Sequence, residues 1–147
     1  MRIASILLLC FCTGCFPLSA PFHLHVITEE KGPINPIPCK FKVHFGWQTA
    51  SIVATLNTGE VCQGQFNLVS SAAAPLDREM APLWDKVFGQ GFYNAQVLGS
   101  AGHSRLVLLG NRGTEIRLEF HKMAGDKNGG MEGVAVDKAG QLYKMGY

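Results

Sequence analysis

The chain has no apolar stretch long enough to cross a membrane as a helix. The longest one runs from Ile3 to Phe11, whereas a spanning helix needs about 20 residues. A cluster of basic residues is also missing, because the 13 Lys and Arg and the 11 Asp and Glu are interspersed, and this argues against a nucleic-acid partner. The motif Gly-x-Ser-x-Gly and internal repeats are absent as well, so neither an elbow-type hydrolase nor a solenoid is indicated.

The first fifteen residues have the features of an export signal. Arg2 precedes the apolar stretch Ile3 to Phe11, which has the length of a signal-peptide core. Of the three early cysteines only Cys15 follows a small residue, Gly14, as lipoprotein processing requires. We therefore predict cleavage before Cys15 and attachment of a diacylglycerol to its thiol. Cys12 stands where lipoprotein signals usually have Leu, and the alternative is an ordinary secretory signal without lipid.

This interpretation divides the chain into three parts. Residues 1–14 are the signal peptide, 15–21 a lipidated tether, and 22–147 a single β-rich domain. Removal of the signal leaves 133 residues, a length at which one hydrophobic core is sufficient without metals or many disulfides. Two or three acyl chains on Cys15 would anchor such a domain stably, because each buried methylene contributes about 0.8 kcal/mol.

Two further cysteines, Cys39 and Cys62, remain in the domain. Each one leads an alternating apolar run, so both side chains are predicted to point toward the core. In an oxidising compartment they could form a disulfide, which would close a loop of about 24 residues and contribute about 3 kcal/mol. Two unpaired core thiols fit the same pattern.

Period-two alternation dominates the domain and predicts an all-β fold. Thr114 to Phe120, with three apolar and three charged residues in alternation, is typical of a strand with one solvent-facing side. Turn residues such as Asn57-Thr58-Gly59 separate the strands. The expected architecture is mainly an antiparallel meander, closed as a small barrel or packed as a sandwich. Predicted strands lie near 22–28, 39–46, 51–56, 60–69, 94–99, 104–110, 114–121, 132–137 and 141–145.

One segment has helical periodicity instead. Apolar residues at i, i+3, i+4, i+7 and i+8 predict one short helix near 80–89, with Pro82 in its first turn and Gly89 at its end. The simplest role is to cover an open end of the barrel, and the alternative is that Trp84 binds a partner.

No catalytic, metal-binding or cofactor-binding residue can be assigned from the sequence. His23 and His25 share a strand face, but two histidines without a third ligand are more often solvent-facing. The other histidines, His44, His103 and His121, are scattered. The glycine-rich stretches 99–104 and 110–114 are interpreted as connections between strands, since no helix follows the second one to form an anion site.

Several glycine-punctuated segments resemble a group of small bacterial envelope lipoproteins of uncharacterised activity. They are Phe88–Gly99, Leu109–Thr114 and Gly133–Lys144, together with Gly32-Pro33 and Thr58–Gly64. The resemblance implies lipidation and a β-rich fold, and it implies no catalytic residue.

The expected function is that of a non-catalytic envelope component, lipid-anchored and facing the periplasm. Phe16 follows Cys15 where Asp would favour the inner membrane, so the outer membrane is expected. The predicted partners are the membrane, through the lipid, and another envelope protein or cell-wall material. One alternative is a carrier of a small apolar ligand in a barrel mouth lined by aromatic residues, namely Phe41, Phe45, Phe66, Trp84 and Phe92. A hydrolase, with Ser100 or Ser104 near His121 or His103, is the other.

Overall fold

Alternation of side chains along each strand produces a closed barrel of eight antiparallel strands in chain order. The computed structural model describes residues 19–28, 35–44, 49–67, 78–100, 102–122 and 130–146. The predicted all-β meander is confirmed, with the barrel as its form. The strands are β1 (Ser19–Ile27), β2 (Ile37–Val43), β3 (Thr49–Thr55), β4 (Val61–Asn67), β5 (Ser104–Gly110), β6 (Glu115–Lys122), β7 (Met131–Asp137) and β8 (Leu142–Gly146).

The interior of the barrel is filled by side chains. In β2, Ile37, Cys39, Phe41 and Val43 are buried, while the residues between them are exposed. The other strands contribute further apolar side chains, so the inward positions form one continuous core. An eight-stranded barrel is just wide enough for its interior to be filled in this way.

The first strand begins three residues earlier than the sequence suggests, so residues 19–21 of the predicted tether belong to β1. Ser19, Ala20 and Pro21 pair with β2, whereas β8 first meets β1 at His23. Pro21 therefore has a neighbouring strand on one side only. A proline is tolerated at such a position because its missing N–H does not interrupt a ladder. Residues 1–18, including Cys15, lie outside the described residues.

The predicted helix is confirmed as α1 (Ala81–Phe88). Pro82 lies in its first turn, and Gly89 ends it with φ 112°, a conformation that favours glycine. Among the described residues, no helix combines the length and apolar character needed to cross a bilayer.

The strand predicted at 94–99 is wrong. These residues belong mostly to α2 (Tyr93–Val97), a single π-helical turn in which the N–H of Leu98 bonds to the carbonyl of Tyr93 at 2.9 Å. Tyr93 and Val97, four residues apart, are both buried. The Asp85 side chain accepts the N–H of Tyr93 at 3.0 Å and so starts the turn. A contact with a residue eight positions earlier overrides the local pattern.

The two helices pack on the outside of the barrel, against β6, β7 and β8, so the expectation that α1 covers an open end is wrong. They form a second core there, separate from the barrel interior. Val134 and Val136 point outward from β7 into this layer, while Ala135 points inward. A strand buried on both faces reads as a continuous apolar run, and Gly133 to Val136 is such a run. The second core contains Met80, Trp84, Tyr93, Val97, Val134, Val136 and Leu142.

At one end of the barrel, which we call the turn end, tight turns connect β3 to β4, β5 to β6 and β7 to β8. Glu60 links the first two of these turns. Its buried carboxylate accepts the backbone N–H of Arg112 at 2.9 Å and the hydroxyl of Thr114 at 2.7 Å. The Thr114 hydroxyl bond outweighs desolvation and holds the pKa of Glu60 below its ordinary value. Two turns distant in sequence are thereby joined. The 110–114 stretch is a strand connection, as predicted, and its amides bind an anion supplied by the protein itself.

Cys39 and Cys62 are free and buried in the barrel interior. Ala54 lies between them, since it pairs with Cys39 on one side and with Cys62 on the other. Neighbouring strands are about 4.8 Å apart, so the two Cα atoms are separated by more than the ~7 Å limit of a disulfide. Desolvation raises the pKa of Cys39 to about 12 and also raises the pKa of Cys62.

We expect both thiols to resist alkylation in the folded protein, because they are protonated and shielded from solvent. Intact mass after iodoacetamide treatment should show neither thiol modified under native conditions. Both should react in guanidinium without any reductant. A requirement for reductant in guanidinium would instead reveal a Cys39–Cys62 disulfide.

Candidate functional site

A buried carboxylate, Glu119, lies between the barrel and the helical layer. It projects outward from β6 and has no solvent exposure. Trp84 donates its indole N–H to Oε2 at 2.7 Å, while His103 Nε2 and Arg105 Nε each lie 2.6 Å from Oε1. Arg105 also donates to the hydroxyl of Tyr93 at 3.1 Å. The prediction that this face of β6 is solvent-facing is therefore wrong at Glu119.

These donors keep the Glu119 carboxylate ionised. Burial alone would raise the pKa of Glu119, but the hydrogen bonds from His103, Arg105 and Trp84 outweigh it and lower the pKa. A buried charge must be paired and hydrogen-bonded to be tolerated. The side chain of Glu119 on β6 therefore connects α1, α2 and β5 through hydrogen bonds. These contacts hold the helical layer to the barrel.

A second pair, His121 and Glu132, lies beside Glu119 on the same outer face. His121 is 1% exposed, and its Nε2 is 3.0 Å from Oε1 of Glu132 on β7. Its ring meets Trp84 edge to face with centroids 5.5 Å apart. Burial is the largest influence and lowers the pKa of His121 despite the nearby Glu132 carboxylate. His121 is consequently neutral at neutral pH.

Glu132 also lines a cleft between the end of α1 and α2, which we call the outer cleft. Its volume is about 360 Å³, within the usual range of small-molecule pockets. Phe88 and Phe92 form its aromatic part, with ring centroids 4.7 Å apart and planes 18° from parallel. The remaining lining residues are Gly89, Gln90, Gly91, Ala95 and Gln96.

A third feature, the mouth cavity, lies at the end of the barrel opposite the turn end. This end contains the start of β1 at Ser19 and the last residue of β4, Asn67, and we call it the open end only to distinguish it from the turn end. The cavity has a volume of about 280 Å³. The Phe66 ring lies 5.8 Å from the Phe41 ring and 5.1 Å from the Phe120 ring. The lining is completed by Gly102, Ser104, Lys122 and Met131.

The aromatic residues proposed for a carrier site are divided between different places. Phe41 and Phe66 line the mouth cavity, whereas Trp84 and Phe92 lie outside the barrel in the helical layer. Phe45 lies outside the described residues. The spacing along the sequence could not distinguish these locations, because it does not show that a second core exists.

The histidines on β1 and the described residues of the serine-containing connection lie in different parts of the fold. His23 and His25 lie on the outer face with ring centroids 6.1 Å apart. Within the described part of the chain, no group of three His, Cys, Asp or Glu side chains is placed to hold a metal ion. The Ser100 hydroxyl donates to the Val97 carbonyl at 2.7 Å, and the His103 ring contacts Glu119.

Sequence reasoning missed the association of His103, Glu119 and His121. They come from different strand positions, and only the register of β5 with β6 brings Arg105 opposite Glu119. The continuous apolar run in β7 was the available signal, because it indicates a covered outer face and therefore a buried Glu119 on the neighbouring strand. Comparison with protein-family models, curated proteins and solved structures finds no match to this chain.

Proposed function

We propose that this chain is a lipid-anchored, non-catalytic protein of the bacterial envelope that binds a small apolar molecule at the open end of its barrel. The observation that supports ligand binding most directly is the mouth cavity, which is lined by Phe41, Phe66 and Phe120 at the end where β1 begins. The proposed location in the envelope rests on the N-terminal sequence, in which Cys15 is the acylated residue. The periplasmic face of the outer membrane is the expected location.

The position of β1 supports this proposal because it relates the cavity to the anchor. Ser19 begins β1 at the open end, and Cys15 precedes it by four residues. Four residues span at most about 14 Å when extended. The acyl chains would therefore be attached close to the mouth cavity, and an apolar molecule in the bilayer would have a short path to it.

Lys122 gives the cavity a polar side. It is the one charged residue among the described residues that line the cavity. An apolar chain could lie against the phenylalanines with a polar or anionic end toward Lys122. Among the described residues, packed apolar side chains occupy the barrel interior below the mouth, and this favours the mouth as the position of such a ligand.

The proposal can be tested by native mass spectrometry of the full-length protein expressed in a bacterial host and purified in detergent. The intact mass should correspond to cleavage before Cys15 with added acyl chains. After incubation with decanol, one retained adduct is expected. Ser104→Trp should reduce adduct retention at least tenfold, because the half-buried Ser104 lines the cavity and indole would fill it.

Leu109→Trp is the matched control. Leu109 is on the same strand but points outward and is 60% exposed, so indole there leaves the cavity unchanged. Equal adduct retention by Ser104→Trp and the unaltered protein would reject binding in the mouth. An unmodified Cys15 in the processed chain would reject the anchor.

A further inference from the structure

We propose that the outer cleft is a second binding site and that it takes a small organic ammonium compound. It lies on the outside of the barrel against the helical layer, whereas the mouth cavity opens at the barrel end, and the two share no lining residue. This inference is therefore independent of the function proposed above.

The charge of the outer cleft favours a cation. Glu132 is the one charged residue among its described lining residues, and its side chain is 19% exposed. Its partner His121 is neutral at neutral pH, so the hydrogen bond between them fixes the carboxylate without cancelling its charge. A partly desolvated carboxylate attracts a cation more strongly than one in water.

The backbone at the rim of the cleft does not favour an anion. Glycine-rich reversals often bind anions through free N–H groups. Here acceptors of the protein itself take those donors, since the amides of Tyr93 and Gly91 bond to the Asp85 carboxylate and lower its pKa, while the amide of Phe92 bonds to the Gly89 carbonyl at 3.1 Å. This turn therefore contributes side chains to the cleft and not free N–H groups. The carbonyl oxygens of Gln90 and Gln96 can accept hydrogen bonds from an ammonium group.

The aromatic part of the site already holds one ammonium group. Lys144 Nζ lies 4.7 Å from the centroid of the Phe88 ring, within the distance of a cation–π interaction. Lys144 pairs with Val134 across β7 and β8, and Glu132 is two residues from Val134 on the same outward face. Lys144 and a cationic ligand would repel each other, so removal of the Lys144 charge should strengthen binding.

The test uses the full-length protein in nonionic detergent with Trp47→Phe, so that fluorescence comes from Trp84. Trp84 stacks on both rings of the site, with centroids 5.3 Å from Phe88 and 6.0 Å from Phe92. Butylammonium should quench or shift this fluorescence in a saturable manner, and 1-butanol at the same concentration should not. Glu132→Gln should weaken butylammonium binding at least tenfold, while Lys144→Gln should strengthen it severalfold.

Glu132→Gln keeps an oxygen that can accept the bond from His121. Glu115→Gln, at a half-buried acidic residue of β6 outside the cleft, is the matched control. The control should bind butylammonium as the unaltered protein does. If Glu132→Gln fails to fold, the response to Lys144→Gln decides the question. Equal binding of 1-butanol and butylammonium, or no change in either variant, would overturn the proposal.

Discussion

Glu119→Ala is expected to lower the free energy of unfolding by about 3–5 kcal/mol, because it leaves the charges and donors around a buried carboxylate without their partner. Arg105, whose side chain is 27% exposed, can turn to water, but the indole of Trp84 and the ring of His103 cannot. The melting temperature should fall by roughly 10 °C or more for a domain of this size. Thermal and urea unfolding followed by circular dichroism would measure both effects.

Glu115→Ala is the matched control for Glu119→Ala. Glu115 lies on the same strand and pairs with Lys138 at 2.8 Å, but the two side chains are 30% and 68% exposed. An exposed ion pair contributes at most about 1 kcal/mol. If Glu119→Ala costs no more than Glu115→Ala, the buried centre does not hold the helical layer to the barrel.

Glu119 and its neighbour His121 both contribute to the dependence of stability on pH. The pKa values of Glu119 and His121 are both lower in the folded state than their ordinary values of 4.5 and 6.5. The unfolded chain therefore binds more protons on acidification, and stability falls as pH decreases. The His121 contribution is lost from about pH 6.5 downward and that of Glu119 from about pH 4.5. Glu119→Gln should reduce only the second loss.

Gly64→Ala should also destabilise the protein strongly, because it acts where the barrel has its shortest ladder. The ladder between β4 and β5 contains only the pairs Cys62 with Gly110 and Gln63 with Leu109. A Cβ at Gly64 would clash with the carbonyl oxygen of Val107 on β5. That contact involves backbone, so the strands themselves must separate. Overpacking of this kind typically costs about 1–3 kcal/mol.

Urea unfolding and amide hydrogen exchange would test the effect of Gly64→Ala. Exchange should accelerate first in β4 and β5, since those strands share the shortest ladder. Gln65→Ala, at an exposed neighbouring position, is the control and should change stability by no more than about 0.5 kcal/mol. If hydrogen exchange accelerates equally in all strands, the ladder between β4 and β5 does not open before the rest of the barrel.

Most of the fold could be predicted from the sequence because period-two alternation has a direct physical meaning in a barrel. Strand β5 occurs at 104–110 as predicted, and the helix ends at Gly89 as its sequence indicates. The strand predicted at 94–99 failed because Asp85, eight residues before Tyr93, decides the conformation there. Local pattern carries no information about such a contact.

The candidate sites were harder to predict because they depend on strand register. Glu119 looks like any charged residue on a solvent-facing side until the helices are known to cover it. The outer cleft likewise requires Glu132 on β7 to meet the turn between α1 and α2. Only the apolar run from Gly133 to Val136 hinted that this outer face is covered.

The meander makes the fold nearly cyclic, since the first strand is hydrogen-bonded to the last. His23 pairs with Gly146, so both strands reach the open end side by side. Every strand then has its sequence neighbours as its spatial neighbours, apart from this one closing ladder. The closing ladder joins the two strands most distant in the sequence, so its formation carries the largest loop-closure entropy of the barrel. Its geometry suits circular permutation, in which β8 is linked to β1 and the chain is opened at an exposed turn such as Lys138–Gly140.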